Sequence, residues 1–165
     1  MSPLPRGQVR TTPLGADLMI SRTFRASLDD VWTSVTASES TARWIGPWTG
    51  DAGPGKWVKL QLAFEKGQPS SDVLIEICEP PQRLVVRVKD SSGEWRIELG
   101  LERVADTTKL TLTQPLTDPA AAGDMGPGWE YYLDMLVAAR DGTPLPQFAD
   151  YYPAQKAYYL GDARV

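Results

Sequence analysis

The stretch GPGWEYYLDMLVAARDG, residues 126–142, predicts the longest helix of the chain. Large apolar side chains in it and just before it recur at the spacing of one helical face: Met125, Trp129, Tyr132, Leu133, Leu136 and Val137. Gly126 and Pro127 open the stretch and Gly142 closes it, so we expect a helix over about residues 125–140. Such a helix is about 24 Å long at about 1.5 Å per residue, which matches a strand of about seven residues.

The other faces of this helix carry different side chains. Glu130 and Asp134 lie off the apolar stripe, and we expect both carboxylates to be solvated. A second, weaker apolar stripe consists of Tyr131, Met135 and Ala138. We expect this stripe to receive the C-terminal tail, residues 143–165, because the tail carries one phenylalanine and four tyrosines.

Five segments before the helix alternate apolar and polar residues with the period of two that is typical of β-strands. They are WVKLQLAF (57–64), DVLIEICE (72–79), RLVVRVK (83–89), EWRIELGLE (94–102) and KLTLTQ (109–114). The connections between them are short, which favours an antiparallel meander with one apolar and one polar face. In the second segment the alternation places Val73, Ile75 and Ile77 on the apolar face, and Cys78 with Glu76 on the polar face.

The N-terminal part of the chain predicts a strand followed by two short helices. DLMISRTFRA (17–26) reads as the strand, and Ser27 with Asp30 forms the capping signal of the first helix. The second helix starts at residue 38 or 39 and ends near Trp44. We expect residues 1–16 to form a loose arm.

Composition excludes several classes of function. The chain of 165 residues has no histidine and a single cysteine, so Ser-His-Asp and Cys-His catalysis, cysteine-based zinc sites and intrachain disulfides are excluded. We therefore assign no catalytic residue, metal or cofactor. The net charge is −4 and the basic residues are scattered, which disfavours nucleic acid as a partner. On the polar face of the strands, Arg87, Lys89, Arg96 and Glu98 are expected to form cross-strand ion pairs. No apolar run approaches the length of a membrane span or a signal peptide, and we expect a cytoplasmic protein.

The order of these elements and several motifs resemble the START-like, or SRPBCC (Bet v 1-like), superfamily. More narrowly, the chain resembles bacterial homologues of the activator of heat-shock-protein-90 ATPase. The motifs are SLDDVWTSVTASESTARWIG (27–46), KWVKLQL (56–62), EPPQRLVV (79–86), TTKLTLTQ (107–114) and GPGWEYYLDML (126–136). Lys56 departs from the pattern, because a second glycine is usual there.

The resemblance implies an α+β helix-grip fold, in which a curved antiparallel sheet wraps around the long C-terminal helix and two short helices follow the first strand. Residues 17–142 would form this domain, with the arm before it and the tail docked on it. The resemblance also implies a cavity between sheet and helix that holds an apolar or aromatic molecule. The protein would then act as a carrier or a sensor of that molecule. The candidate lining residues are Trp44, Trp48, Phe64, Ile77, Val86, Trp95, Met125, Trp129, Tyr132, Leu133 and Leu136.

The residues leave other interpretations open. The aromatic side chains could simply fill the core, which we favour for Leu136 and weigh equally with ligand binding for Trp44 and Trp129. Tyr132 could donate a hydrogen bond to a ligand, or serve as acid or base in an enzyme of the polyketide cyclase/aromatase type. A third alternative is a co-chaperone-like interaction module with a chaperone as partner. An edge strand could pair two copies into a homodimer, and the sequence does not identify the ligand.

Overall fold

The computed structural model describes residues 2–165 as an eight-stranded antiparallel sheet with four α-helices. The strands are β1 (Gln8–Thr12), β2 (Gly15–Phe24), β3 (Trp48–Thr49), β4 (Trp57–Gln61), β5 (Ser70–Glu79), β6 (Arg83–Asp90), β7 (Gly93–Val104) and β8 (Thr107–Leu116). The helices are α1 (Leu28–Thr36), α2 (Ser38–Thr41), α3 (Ala122–Asp141) and α4 (Lys156–Leu160). The strand order is β1-β2-β8-β7-β6-β5-β4-β3. The predicted α+β helix-grip fold is confirmed.

The chain divides into two compact units. The sheet unit comprises residues 22–111, and the helix unit comprises the chain up to Ser21 together with residues 112–165. All five predicted strands are present as β4 to β8, and their ends differ from the predicted ends by at most three residues. The alternation sets their register. Residues paired across β5, β6 and β7, such as Val73, Val88 and Trp95, lie on the same side of the sheet.

The helix α1 begins as its sequence predicts. The side chain of Ser27 accepts a hydrogen bond from the backbone N–H of Asp30 at 3.2 Å, which satisfies one of the free donors of the first turn. Asp29 and Asp30 place negative charge at the same end, where the helix dipole favours it.

The N-terminal arm differs from the sequence-based expectation. Residues 8–12 form β1, which pairs antiparallel with β2 and turns into it at Gly15. Only Val9 of this strand is buried, so its apolar alternation is too weak to recognise in the sequence. The backbone of Val9 also bonds to the C-terminus, donating to the carbonyl of Ala163 at 2.8 Å and accepting from the N–H of Val165 at 3.0 Å.

The long helix starts earlier than predicted. A 3₁₀ turn at Pro119–Ala121, capped by the side chain of Asp118, leads directly into α3 at Ala122. Gly126 and Pro127 therefore lie inside the helix, although they were expected at its start. The predicted end is confirmed, because Gly142 adopts the left-handed conformation at φ 67° and its N–H bonds to the carbonyl of Ala138.

Candidate functional site

The sheet unit carries an apolar face on strands β4 to β6. Val58, Val73 and Ile75 are buried there, and further apolar side chains that are only partly buried pack against them. The partly buried members are Trp48, Leu60, Cys78, Leu84, Val86 and Val88. We call these nine residues the apolar face. Ordinary core positions of a central sheet are fully covered, so a group of partly accessible apolar side chains here marks a candidate site for a ligand.

A β-bulge at Glu76 changes which residues of β5 belong to this face. Ile75 pairs with Val86, but the next paired residue is Ile77, which pairs with Val85. The extra residue shifts the alternation by one position, as bulges do. Cys78 therefore pairs with Leu84 and joins the apolar face.

The bulge corrects two interpretations of the sequence. Ile77 was expected on the apolar face with Val73 and Ile75, and it lies on the opposite face. Cys78 was expected on the polar face, and it lies on the apolar face. The prediction assumed that the alternation continues unbroken past Glu76, and no residue in this strand indicates a bulge.

The two tryptophans of the predicted site cap α1. The indole N–H of Trp44 donates to the carbonyl of Ser34 at 2.9 Å, and that of Trp48 donates to the carbonyl of Thr36 at 2.8 Å. These carbonyls belong to the last turn of the helix, whose oxygens have no partner within it. Trp44 is 7% exposed and belongs to the core, whereas the half-buried Trp48 also contacts the apolar face.

The remaining candidates of the sheet unit lie at different depths. Val86 is on the apolar face, and Trp95 is partly buried opposite Val88 on the same side of the sheet. Phe64 lies beyond the end of β4 and is 39% exposed.

The opposite face of these strands is charged. Arg87 bonds to Glu94 at 3.0 Å and lies 3.3 Å from Glu76, and Arg83 bonds to Glu98 at 2.6 Å. The hydrogen bond to Glu98 raises the pKa of Arg83, and the hydrogen bond to Glu94 raises that of Arg87. The predicted cross-strand ion pairs are thus confirmed for Arg87, Arg96 and Glu98, and Arg83 is the partner of Glu98. A shallow groove of about 410 Å³ on this part of the sheet has four charged side chains among its eight lining residues: Glu79, Arg83, Glu98 and Glu102.

In the helix unit, the predicted stripe residues fall into two groups. Leu133 and Leu136 are each 1% exposed, whereas Met125, Trp129 and Tyr132 are partly buried. The indole N–H of Trp129 donates to the side-chain oxygen of Gln114 on β8 at 2.8 Å, so its ring is held in one orientation. The rings of Trp129 and Tyr132 lie 6.1 Å apart and tilted, as aromatic pairs prefer.

Glu130 is a buried anchor that the sequence analysis missed. It was expected in solvent, but it is 1% exposed and its Oε1 accepts hydrogen bonds from the backbone N–H groups of Arg6 at 2.6 Å and Gly7 at 2.9 Å. The hydroxyl of Tyr159 donates to the same oxygen. Burial and the nearby Glu130 carboxylate raise the pKa of Tyr159 far above its ordinary value.

Asp134 was also expected to be solvated, and it accepts a hydrogen bond from the hydroxyl of Tyr151 at 2.7 Å. The ring of Tyr131 contacts those of Phe148 and Tyr151 at centroid distances of 5.5 and 5.6 Å. Tyr151 is 1% exposed. The tail thus packs on Tyr131 of the second stripe and bonds to Asp134.

Comparison with known families identifies the chain. The sequence model of the family described as Activator of Hsp90 ATPase homolog 1-like protein matches residues 25–140. The chain belongs to this family. The resemblance predicted from the sequence motifs is confirmed, and the match contains the whole apolar face and nearly all of α3. The arm and the tail lie outside it.

Solved structures of similar proteins support the family's fold. CalU16 from Micromonospora echinospora is 25% identical, with 97% of this chain and 96% of that chain covered and a TM-score of 0.74. DynU16, a protein in the dynemicin biosynthetic locus, is 21% identical over 83% of this chain and 50% of its own, with a TM-score of 0.66. The Aha1 dimer from Colwellia psychrerythraea is 17% identical over 74% of this chain and 94% of its own, with a TM-score of 0.61. A search of curated protein sequences finds no match.

Within residues 2–165, no helix combines the length and apolar character needed to cross a bilayer. Nor do these residues bring together three or more histidine, cysteine or carboxylate side chains that could hold a metal ion.

Proposed function

We propose that this family member binds a small hydrophobic or aromatic molecule on the apolar face of the sheet unit, as a carrier or sensor. The observation that carries the proposal is the partial exposure of six apolar side chains packed against a buried cluster. Burying such surface is favourable by about 25 cal/mol per Å², so a ligand that covers them gains affinity without any special polar contact.

The chemistry of the face supports binding rather than catalysis. The ionisable groups Glu76, Arg87, Glu94 and Arg96 lie on the opposite face and are engaged in ion pairs there. The indole N–H of Trp48 is already bonded to the carbonyl of Thr36. A molecule on the apolar face would therefore meet aliphatic and aromatic carbon and the thiol of Cys78.

A matched pair of variants tests the location. Leu84 is partly buried on the apolar face, and Ile77 is partly buried on the opposite face of the neighbouring strand. We expect Leu84→Ala to weaken binding of a naphthalene-sulfonate fluorescent probe roughly tenfold, about 1.4 kcal/mol, because it removes aliphatic contact area. Ile77→Ala should change the dissociation constant less than about twofold. Equal effects of the two substitutions would show that the probe binds elsewhere.

The thiol of Cys78 gives a second readout that needs no substitution. Cys78 is the single cysteine and is partly exposed on the apolar face. Saturating the protein with the probe should slow its reaction with a disulfide reagent at least fivefold. An unchanged rate, measured on folded protein that binds the probe, contradicts the proposed site.

The family description favours a second candidate function, a protein contact with a chaperone. The sheet unit exposes two large side chains that could make such a contact: Trp57 is 50% exposed and Phe64 is 39% exposed. This function predicts that the protein stimulates the ATPase of Hsp90 and that Trp57→Ala abolishes the stimulation while Leu84→Ala does not. The absence of any stimulation eliminates it. The predicted ligand contacts of Met125, Trp129 and Tyr132, and the acid–base role of Tyr132, stay predictions.

A further inference from the structure

The segments outside the family match contact each other. The side-chain amide of Gln155 donates to the carbonyl of Pro3 at 2.9 Å, and the hydroxyl of Tyr158 donates to the carbonyl of Gly7 at 2.8 Å. The backbone of Val9 bonds to that of Ala163. The arm, residues 2–12, and the tail, residues 148–165, thus form a joint structure on α3.

The carboxylate of Glu130 is the point where arm, tail and helix meet. A single oxygen receives two backbone N–H groups of the arm, from Arg6 and Gly7, and the hydroxyl of Tyr159 from the tail. A buried charge is stable only when hydrogen bonds replace its lost water. The arm and the tail thus both contribute hydrogen bonds to the same buried oxygen of Glu130.

The side chain of Tyr159, from the tail, packs against both the arm and α3. This side chain is fully buried. A Cβ atom at Gly126 of α3 would lie 2.5 Å from its ring, and one at Gly7 of the arm would collide with its hydroxyl. Glycines on the helix and on the arm thus both make room for one side chain of the tail.

We propose that the arm and the tail, which lie outside the residues matched by the family model, are one structural module that is ordered as a unit through Glu130. Residues 2–7 of the arm and the part of the tail around Tyr159 do not hold their positions on α3 without each other. The likeness to CalU16 extends over 97% of the chain, so the same module is expected in that protein.

Amide hydrogen exchange of the full-length protein tests the coupling. Glu130→Ala removes the shared acceptor, and we expect at least tenfold faster exchange in both segments, at Arg6 and Gly7 and at Tyr158 and Tyr159. Strand β4 in the sheet unit should exchange as in the parent protein. The matched control is Asp134→Asn on the same helix, since the carboxylate of Asp134 accepts from Tyr151 of the tail. This variant should accelerate exchange near Tyr151 and leave Arg6 and Gly7 unchanged.

Acceleration of only one segment in Glu130→Ala overturns the proposal, as does an arm that loosens equally in Asp134→Asn. Should Glu130→Ala fail to fold, deletion of residues 2–6 provides the second measurement. That deletion leaves every tail residue in place, and the proposal requires at least tenfold faster exchange at Tyr159. Unchanged exchange there refutes it.

Discussion

The sharpest prediction concerns two glycines of α3 that lie two residues apart. A Cβ atom at Gly126 would lie 2.5, 2.5 and 2.6 Å from three ring carbons of Tyr159, where ordinary contact begins at 3.4 Å. A Cβ atom at Gly128 would meet nothing within 4 Å. The same substitution by alanine therefore tests a crowded and an open position of one helix.

The two expected effects have opposite signs. Replacing a glycine inside a helix by alanine stabilises it by roughly 0.5–1 kcal/mol. At Gly126 the ring of Tyr159 must also move by about 0.9 Å, and it cannot move freely because its hydroxyl is bonded to Glu130. Overpacking of this kind costs about 1–3 kcal/mol, and we take the upper part of that range. Gly126→Ala should thus lower the free energy of unfolding by about 2 kcal/mol, and Gly128→Ala should raise it by roughly 0.5–1 kcal/mol.

Urea unfolding followed by circular dichroism measures both variants against the parent protein. The two midpoints should move in opposite directions at unchanged slope. In the Tyr159→Leu background Gly126→Ala should lose most of its cost, because the ring it collides with is gone. Midpoint shifts of the same sign for both single variants would refute the packing of Tyr159 against Gly126.

Two more predictions follow from the hydrogen bonds of Tyr159 and Trp48. The pKa of Tyr159 is raised in the folded protein, so above about pH 10 the unfolded chain loses this proton while the folded chain retains it. The free energy of unfolding should therefore fall as the pH rises past about 10, more steeply in the parent protein than in Tyr159→Phe; parallel pH profiles would contradict this. Trp48→Phe removes the donor to the carbonyl of Thr36 and should lower stability by about 1 kcal/mol, while the dissociation constant of the probe changes less than threefold. A loss of probe affinity as large as that of Leu84→Ala would contradict this, because phenylalanine keeps an aromatic ring at this position of the apolar face.

The strands were predictable because each is specified by its own residues. Alternation in 83–89 and 94–102 is regular; the observed β6 extends it by one residue at its C-terminal end, and β7 extends it by one and two residues at its two ends. The cap at Ser27 is equally local, since donor and acceptor are three residues apart. Interactions between residues that are close in the sequence can be predicted from the local residue pattern.

Glu130 could not be placed in the same way. Its partners Arg6 and Gly7 are 124 and 123 residues away in the sequence. Its position off the apolar stripe is also the position of a solvated acid, so the helical pattern does not distinguish the two. The start of α3 was missed for a related reason. Gly126 is read as a helix breaker, but it is retained inside the helix because Tyr159 needs the space that a side chain would fill.

The bulge at Glu76 shows how a local irregularity shapes the candidate site. In an unbroken register Ile77 would lie opposite Leu84, and its branched side chain would cover part of that leucine. The bulge places the smaller Cys78 there instead, and it moves Ile77 to the other face. The same bulge carries the carboxylate of Glu76 to a point 3.3 Å from Arg87 and 3.6 Å from Arg96. The proposed binding depends on the accessibility of Leu84. That accessibility therefore follows from the backbone bulge at Glu76, which decides which residue of β5 lies opposite Leu84.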